Sequence, residues 1–200
     1  MNANTRNEVL SWIHGIEDEL NQTQNDLNTW FDGEPALLAY TPREGWSVPQ
    51  ILEHVSLTNH YLLILIRKGR AKALELAAKP GKLEAALSEF RPNAARLDAI
   101  ADPGAFEWIR PEHMEPTGTA NLDEVSGRLD DQFAECRQAL SDLARGEGLL
   151  YLTTMTVNGL GKLNVYEYVI FLCRHAQRHL EQLRKVEREY RRTQEPDKLR

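Results

Sequence analysis

YVIFLCRHAQRHLEQL, residues 168–183, carries Tyr168, Leu172, His175, His179 and Leu183 at steps of three and four, and the series continues to Val186. That spacing puts all six on one face of an α-helix. Upstream, Asn164 followed three residues later by Glu167 is a helix-start signal, because each side chain can satisfy the other's backbone N–H. The pattern predicts a helix over 165–191, roughly 40 Å long at 1.5 Å per residue. Two positions on its inward face are histidines.

Proline segments the rest of the chain, since it is poorly tolerated inside helices. Pro-free stretches fall at 1–34, 50–79 and 117–195. In the first, Val9, Ile13, Ile16, Leu20, Leu27 and Trp30 predict a helix over 5–31, with Gly15 a minor flaw. Ser47-Val48-Pro49-Gln50 reads as a capping box with Pro in the first turn, so a second helix starts at Val48 and runs to about Gly69. Its inward positions are Ile51, Val55, Thr58, Leu62 and Leu65. A third helix, 122–145, opens at Asn121, carries Val125, Leu129, Phe133, Cys136 and Leu140, and stops at Gly146 and Gly148.

Four long amphipathic helices that cannot bury their stripes alone make an all-α four-helix bundle the most economical architecture. The connection between the second and third helices, 70–120, far exceeds a bundle turn. A span of that length can return along the bundle, which favours up-down-down-up winding. Helix-like pieces at 71–78 and 83–90, followed by FEWIRPEHMEP (106–116), place this partly helical segment over one bundle end. The expectation is one domain over 1–200, with a mobile tail at 192–200.

Composition narrows the function classes. The 200 residues are 42% apolar and 27% charged, enough to close one core, and the net charge of −6 disfavours an extended nucleic-acid face. The longest aliphatic run, Leu62 to Ile66, is far short of the ~20 residues of a membrane span, and no secretory signal is legible, so the expectation is a cytoplasmic protein that engages neither membrane nor nucleic acid. Cys136 and Cys173 form no CxxC pair and sit in apolar helical patterns, the pattern of buried thiols.

Chemistry concentrates on the histidines. His175 and His179 project from adjacent turns of one face, the spacing by which a helix offers two nitrogens to one metal. Facing the bundle interior, each imidazole costs free energy unless its nitrogens are satisfied. A shared metal would do this; so would hydrogen bonds, the commoner outcome for an isolated HxxxH pair. His54, three residues after Ile51, is the best third donor. It lies ~10 Å into the second helix, a height that can meet the later half of the fourth if the two run antiparallel.

GWSVPQILEHVSLTNHYL (45–62) and YVIFLCRHAQRHLEQL together resemble the DinB/YfiT-like superfamily of metalloenzymes. The resemblance implies an up-down-down-up four-helix bundle in which His54, His175 and His179 bind a divalent metal, zinc or nickel foremost. Members of that family join a low-molecular-weight thiol, such as bacillithiol or mycothiol, to electrophiles, or isomerise maleylpyruvate. The implied function is metal-dependent activation of a thiol or water against a small electrophilic substrate, as a thiol S-transferase or a hydrolase. The alternative is a non-enzymatic bundle that dimerises or binds a small ligand, with a structural metal or none. The family and a small bundle's exposed stripes also point to a homodimer.

Other residues carry weaker signals. His113, with Glu112 and Glu115 around it, can approach the open side of the site or be solvated. His60 points away from His54, and His14 has no partner signal. Glu53 projects about 100° from His54 and is expected to face solvent, with a hydrogen bond to a ligating group as the alternative. Arg174 and Arg178 form a cationic pair suited to an anionic substrate or to salt bridges with Glu167 and Glu181. Cys173 lies on another face from His175. Trp30, Trp46 and Trp108 read as packing anchors, Trp108 also as a pocket wall.

Overall fold

A computed structural model describes residues 3–92, 95–106 and 111–194. Its long helices are α1 (Ala3–Asn28), α3 (Val48–Ala77), α6 (Leu122–Asp142) and α7 (Val165–Gln194). Shorter helices are α2 (Pro35–Leu38), α4 (Lys82–Glu89) and α5 (Ala95–Ala101). A two-stranded antiparallel hairpin, β1 (Thr153–Met155) with β2 (Gly161–Leu163), leads into α7, Thr153 opposite Leu163 and Met155 opposite Gly161. The described residues are all-α apart from this hairpin and short 3-10 turns. Trp108 and the tail 195–200 lie outside the described residues; Arg192 to Gln194, assigned to a tail by the sequence reading, continue α7.

Local sequence explains where the long helices begin. Asn121 caps α6, its side-chain oxygen accepting from the N–H of Asp123 at 2.8 Å and of Glu124 at 3.4 Å. Asn164 and Glu167 exchange bonds at the start of α7: Glu167 N–H donates to Asn164 Oδ1 (3.1 Å) and Asn164 N–H to Glu167 Oε2 (2.9 Å). At α3, Gln50 Oε1 accepts from Ser47 N–H at 3.0 Å.

The four long helices pack in a closed ring around one core, each touching two others. Trp12 of α1 meets Tyr166 and Thr23 meets Gln177, so α1 and α7 run in the same sense. Ser56 meets Gln132 and Arg70 meets Asp142, which makes α3 parallel to α6. His54 lies beside His175 while Gly69 lies beside Val165, which makes α3 antiparallel to α7. Leu20, Ile51, Val55, Phe133, Cys136, Leu172 and Leu183 fill the interior, each 1% exposed or less. Burial of such apolar surface supplies most of the folding free energy.

Two expectations change. The second helix does not end near Gly69 but runs to Ala77 and absorbs the piece at 71–78. Gly69 serves close approach instead: a Cβ there would lie 2.7 Å from Val165 Cγ2. The long connection covers one bundle end only through α4, where Leu87 meets Gly146 and Phe90 meets Trp12; the rest leaves that end. Because α3 and α6 are parallel, the chain must travel back about 30 Å, the length of α6 at 1.5 Å per residue. It does so along the outside of α7 and α3: Arg96 pairs with Glu167, Asp98 with Arg174, the Asp102 carbonyl with Arg178, Met114 with His54 and Thr117 with Glu53.

Candidate metal centre

The antiparallel packing of α3 on α7 brings His54, His175 and His179 to one height of the bundle. Their rings lie 4.5–5.3 Å apart between centroids, and one nitrogen from each falls within 4.8 Å of the others. All three are buried, at 3–5% exposure. Among the described residues they form the sole His, Cys, Asp or Glu cluster able to hold a metal ion.

Hydrogen bonds set the direction of the nitrogen lone pairs. His54 Nδ1 lies 2.7 Å from the Met114 carbonyl oxygen. A carbonyl only accepts, so Nδ1 carries a proton, and in the neutral ring Nε2 keeps its lone pair. His179 Nδ1 lies 2.7 Å from Gln182 Oε1 and is fixed likewise as a donor. His175 Nε2 and His179 Nε2 face each other at 3.1 Å. With His179 Nε2 bare, that contact needs one proton, on His175, or a cation between the two. Two nitrogens bonded to one tetrahedral ion at ~2.0–2.1 Å stand about 3.3 Å apart, so the pair is spaced for either.

Burial pushes the His175 pKa well below its ordinary value, and the neighbouring His179, His54 and Arg178 push in the same direction. The ring is therefore neutral at neutral pH, the state in which imidazole donates to a metal. Three imidazole nitrogen donors, two with their far nitrogens committed to acceptors, are a donor set that fits a borderline divalent ion.

The remaining candidates fall elsewhere. His113 is exposed, its ring 4.4 Å from Tyr61, and Glu112 and Glu115 are exposed beside it. Their loop reaches the site through the Met114 carbonyl instead. His60 is exposed against Tyr61, and exposed His14 lies 3.8 Å from Glu17. Arg174 pairs with Glu19 and Asp98, not with Glu167 or Glu181, and Arg178 donates to the carbonyls of Asp102 and Pro103. Both arginines therefore fasten the connection to α7. Cys136 and Cys173 are fully buried; burial pushes the Cys136 thiol up to about 12 and raises Cys173 well above its ordinary value. Trp46 packs its ring 4.7 Å from that of His54, and Trp30 is partly buried against the core.

Glu53 corrects the sequence reading. It is buried, because the loop after Pro111 folds over that side of α3 and presents the N–H groups of Thr117 and Gly118 to its carboxylate. The Met114 carbonyl gave no signal, since a backbone group can come from any residue type. Gln182 was legible in principle, as a polar side chain one turn beyond His179. A separate cavity of about 1120 Å³, lined by Trp30, Leu37, Arg184 and Tyr190 among others, opens between α1, α2 and the end of α7, and none of the three histidines borders it.

A helical ring with three buried imidazoles converging from two antiparallel helices defines a bundle protein with a candidate metal centre. The family model for the DinB superfamily matches residues 3–183, and the chain belongs to that superfamily. No curated protein and no solved structure matches the chain.

Proposed function

We propose that the protein binds one divalent metal ion through His54, His175 and His179 and uses it to activate a low-molecular-weight thiol or water against a small electrophile. One observation carries this reading. Three buried imidazoles bring one nitrogen each within 4.8 Å of the others, and the hydrogen bonds of His54 to Met114 and of His179 to Gln182 occupy the Nδ1 atoms and leave Nε2 for a shared ion. Three buried rings gathered without a cation would bring lone pairs together at a cost in free energy. A divalent ion held by neutral donors keeps its full charge, which lowers the pKa of water or a thiol and polarises an electrophile. Zinc and nickel suit such nitrogen donors.

The residues around the cluster serve that chemistry by exclusion and orientation. Trp46 covers one side of His54, and the loop carrying Met114 covers another. Neither cysteine is accessible, so a thiol reacting here would come from a bound small molecule.

Single substitutions His54→Ala, His175→Ala and His179→Ala, with metal counted by elemental analysis after purification without chelator, test the reading. One equivalent per wild-type chain and a loss in each variant is expected; unchanged stoichiometry in all three overturns it. A panel of thiols and electrophiles then separates the enzyme, through metal-dependent turnover, from a binding module, which would show stabilisation by ligand without turnover.

A further inference from the structure

We infer that Glu53 is a positioning residue for the histidine cluster: its carboxylate holds the 111–118 loop on α3, and that loop supplies the carbonyl that sets the tautomer of His54. The metal-binding consequence rests on the proposed function; the tautomer consequence does not.

Glu53 is 5% exposed, and its carboxylate accepts three bonds, all from two adjacent loop residues. Thr117 donates from its N–H (3.0 Å) and its hydroxyl (2.8 Å) to Oε1, and Gly118 donates from its N–H (3.0 Å) to Oε2. A carboxylate is the side chain for this task, because both of its oxygens are acceptors and a carboxamide offers one. Gly118 sits at φ 74°, and a Cβ there would lie 3.0 Å from Gln50 Nε2, so the loop presses closely on the first turn of α3. From that anchor the loop runs along one stripe of the helix. Met114 O reaches His54 Nδ1, Met114 Sδ lies 3.9 Å from the Thr58 hydroxyl, and the His113 ring packs on Tyr61.

The consequence is a division of labour between neighbours in sequence. His54 offers a nitrogen within 4.8 Å of those of His175 and His179, and with Nδ1 held by the Met114 carbonyl that nitrogen is Nε2; Glu53, about 100° around the helix, grips the segment that orients it. Partners that orient a ligating imidazole typically change metal affinity 10- to 100-fold when removed. Glu53 acts one step further out, through backbone that it fastens. Loss of the grip frees the Met114 carbonyl and lets the His54 proton move to Nε2, where it blocks the inward lone pair.

The test uses the full-length chain with Glu53→Gln and Thr117→Ala. Long-range ¹H–¹⁵N correlation spectra of chelator-treated protein report the His54 tautomer directly. Wild type is expected in the Nδ1–H form, with a growing Nε2–H population in Thr117→Ala and a larger one in Glu53→Gln. Co²⁺ titration, followed by ligand-field absorption, is expected to show about tenfold weaker binding in Glu53→Gln. An unchanged Nδ1–H tautomer in both variants, or Co²⁺ affinity within twofold of wild type in both, overturns the inference. If wild type takes up no Co²⁺ while the tautomer still shifts, the metal reading fails and the positioning role stands. Should Glu53→Gln fail to fold, Thr117→Ala, at an exposed position, carries both readouts.

Discussion

His175 lies in the bundle interior, 3% exposed. Burial lowers its pKa well below the ordinary imidazole value, with His179, His54 and Arg178 adding to the shift. The unfolded chain therefore binds a proton here at a pH where the folded chain does not. Stability from this group is fully present above its unfolded pKa of ~6.5 and is lost as the pH falls below that value toward the depressed folded pKa. In chelator-treated protein, the unfolding free energy is expected to fall between pH 7 and pH 5. In His175→Gln, which cannot titrate, the fall should be shallower; parallel urea titrations at the two pH values compare them, and identical slopes would exclude this residue as the source. Protonation also removes the lone pair that a metal would use, so affinity should fall over the same range.

Close approach of two helices is the theme at the scale of elements. Two glycines inside helices make opposite predictions from similar sequence contexts. Gly15 of α1 is exposed, with no atom within 4 Å of an added Cβ, so Gly15→Ala should stabilise by about 0.5–1 kcal/mol through helix propensity alone. At Gly69 the same change puts a methyl group 2.7 Å from Val165, whose 2% exposure leaves it little room to yield. Overpacking of ~1–3 kcal/mol then outweighs the propensity gain and the variant is destabilised. Chemical denaturation of the two variants should move the midpoint in opposite directions. This pair also shows what sequence could convey: both glycines sit in helical periodicity, and nothing local separates an exposed flaw from a contact that α7 demands. Helix starts were legible at Ser47, Asn121 and Asn164 because caps are local chemistry. The extension of α3 to Ala77 showed only as a separate helix-like piece at 71–78, because Gly69 interrupts the pattern and the close neighbour that explains a glycine there, Val165, is 96 positions away.

For the molecule as a whole, the histidines could be picked out of the sequence because their inward placement follows from helical periodicity and the pairing of α3 with α7. Of the groups that orient them, Gln182 was open to the same reasoning and the others were not: Met114 contributes only a carbonyl, and Glu53 gained its partners when the long connection turned back along the bundle. α5, the hairpin and the path of that connection were also beyond periodicity, being short elements held by tertiary contacts such as Arg96 with Glu167. Since the site joins α3 to α7, an ion bound there ties together elements distant in sequence and stabilises the entire fold by mass action. At a free metal concentration 100 times the Kd, stabilisation of about 2.7 kcal/mol is expected. Calorimetric scans with and without zinc should therefore show a higher Tm for wild type and a negligible shift for His179→Ala; equal shifts would place the binding elsewhere.

The two cysteines lie sealed in the core, with their thiols held protonated by burial. The polypeptide thus brings no sulfur nucleophile of its own to any reaction. If the proposed reaction uses a diffusible thiol, a thiol-selective reagent added to an assay would consume that thiol and spare the two buried cysteines, so inhibition by it would be a signature of the cosubstrate rather than of a cysteine of the protein.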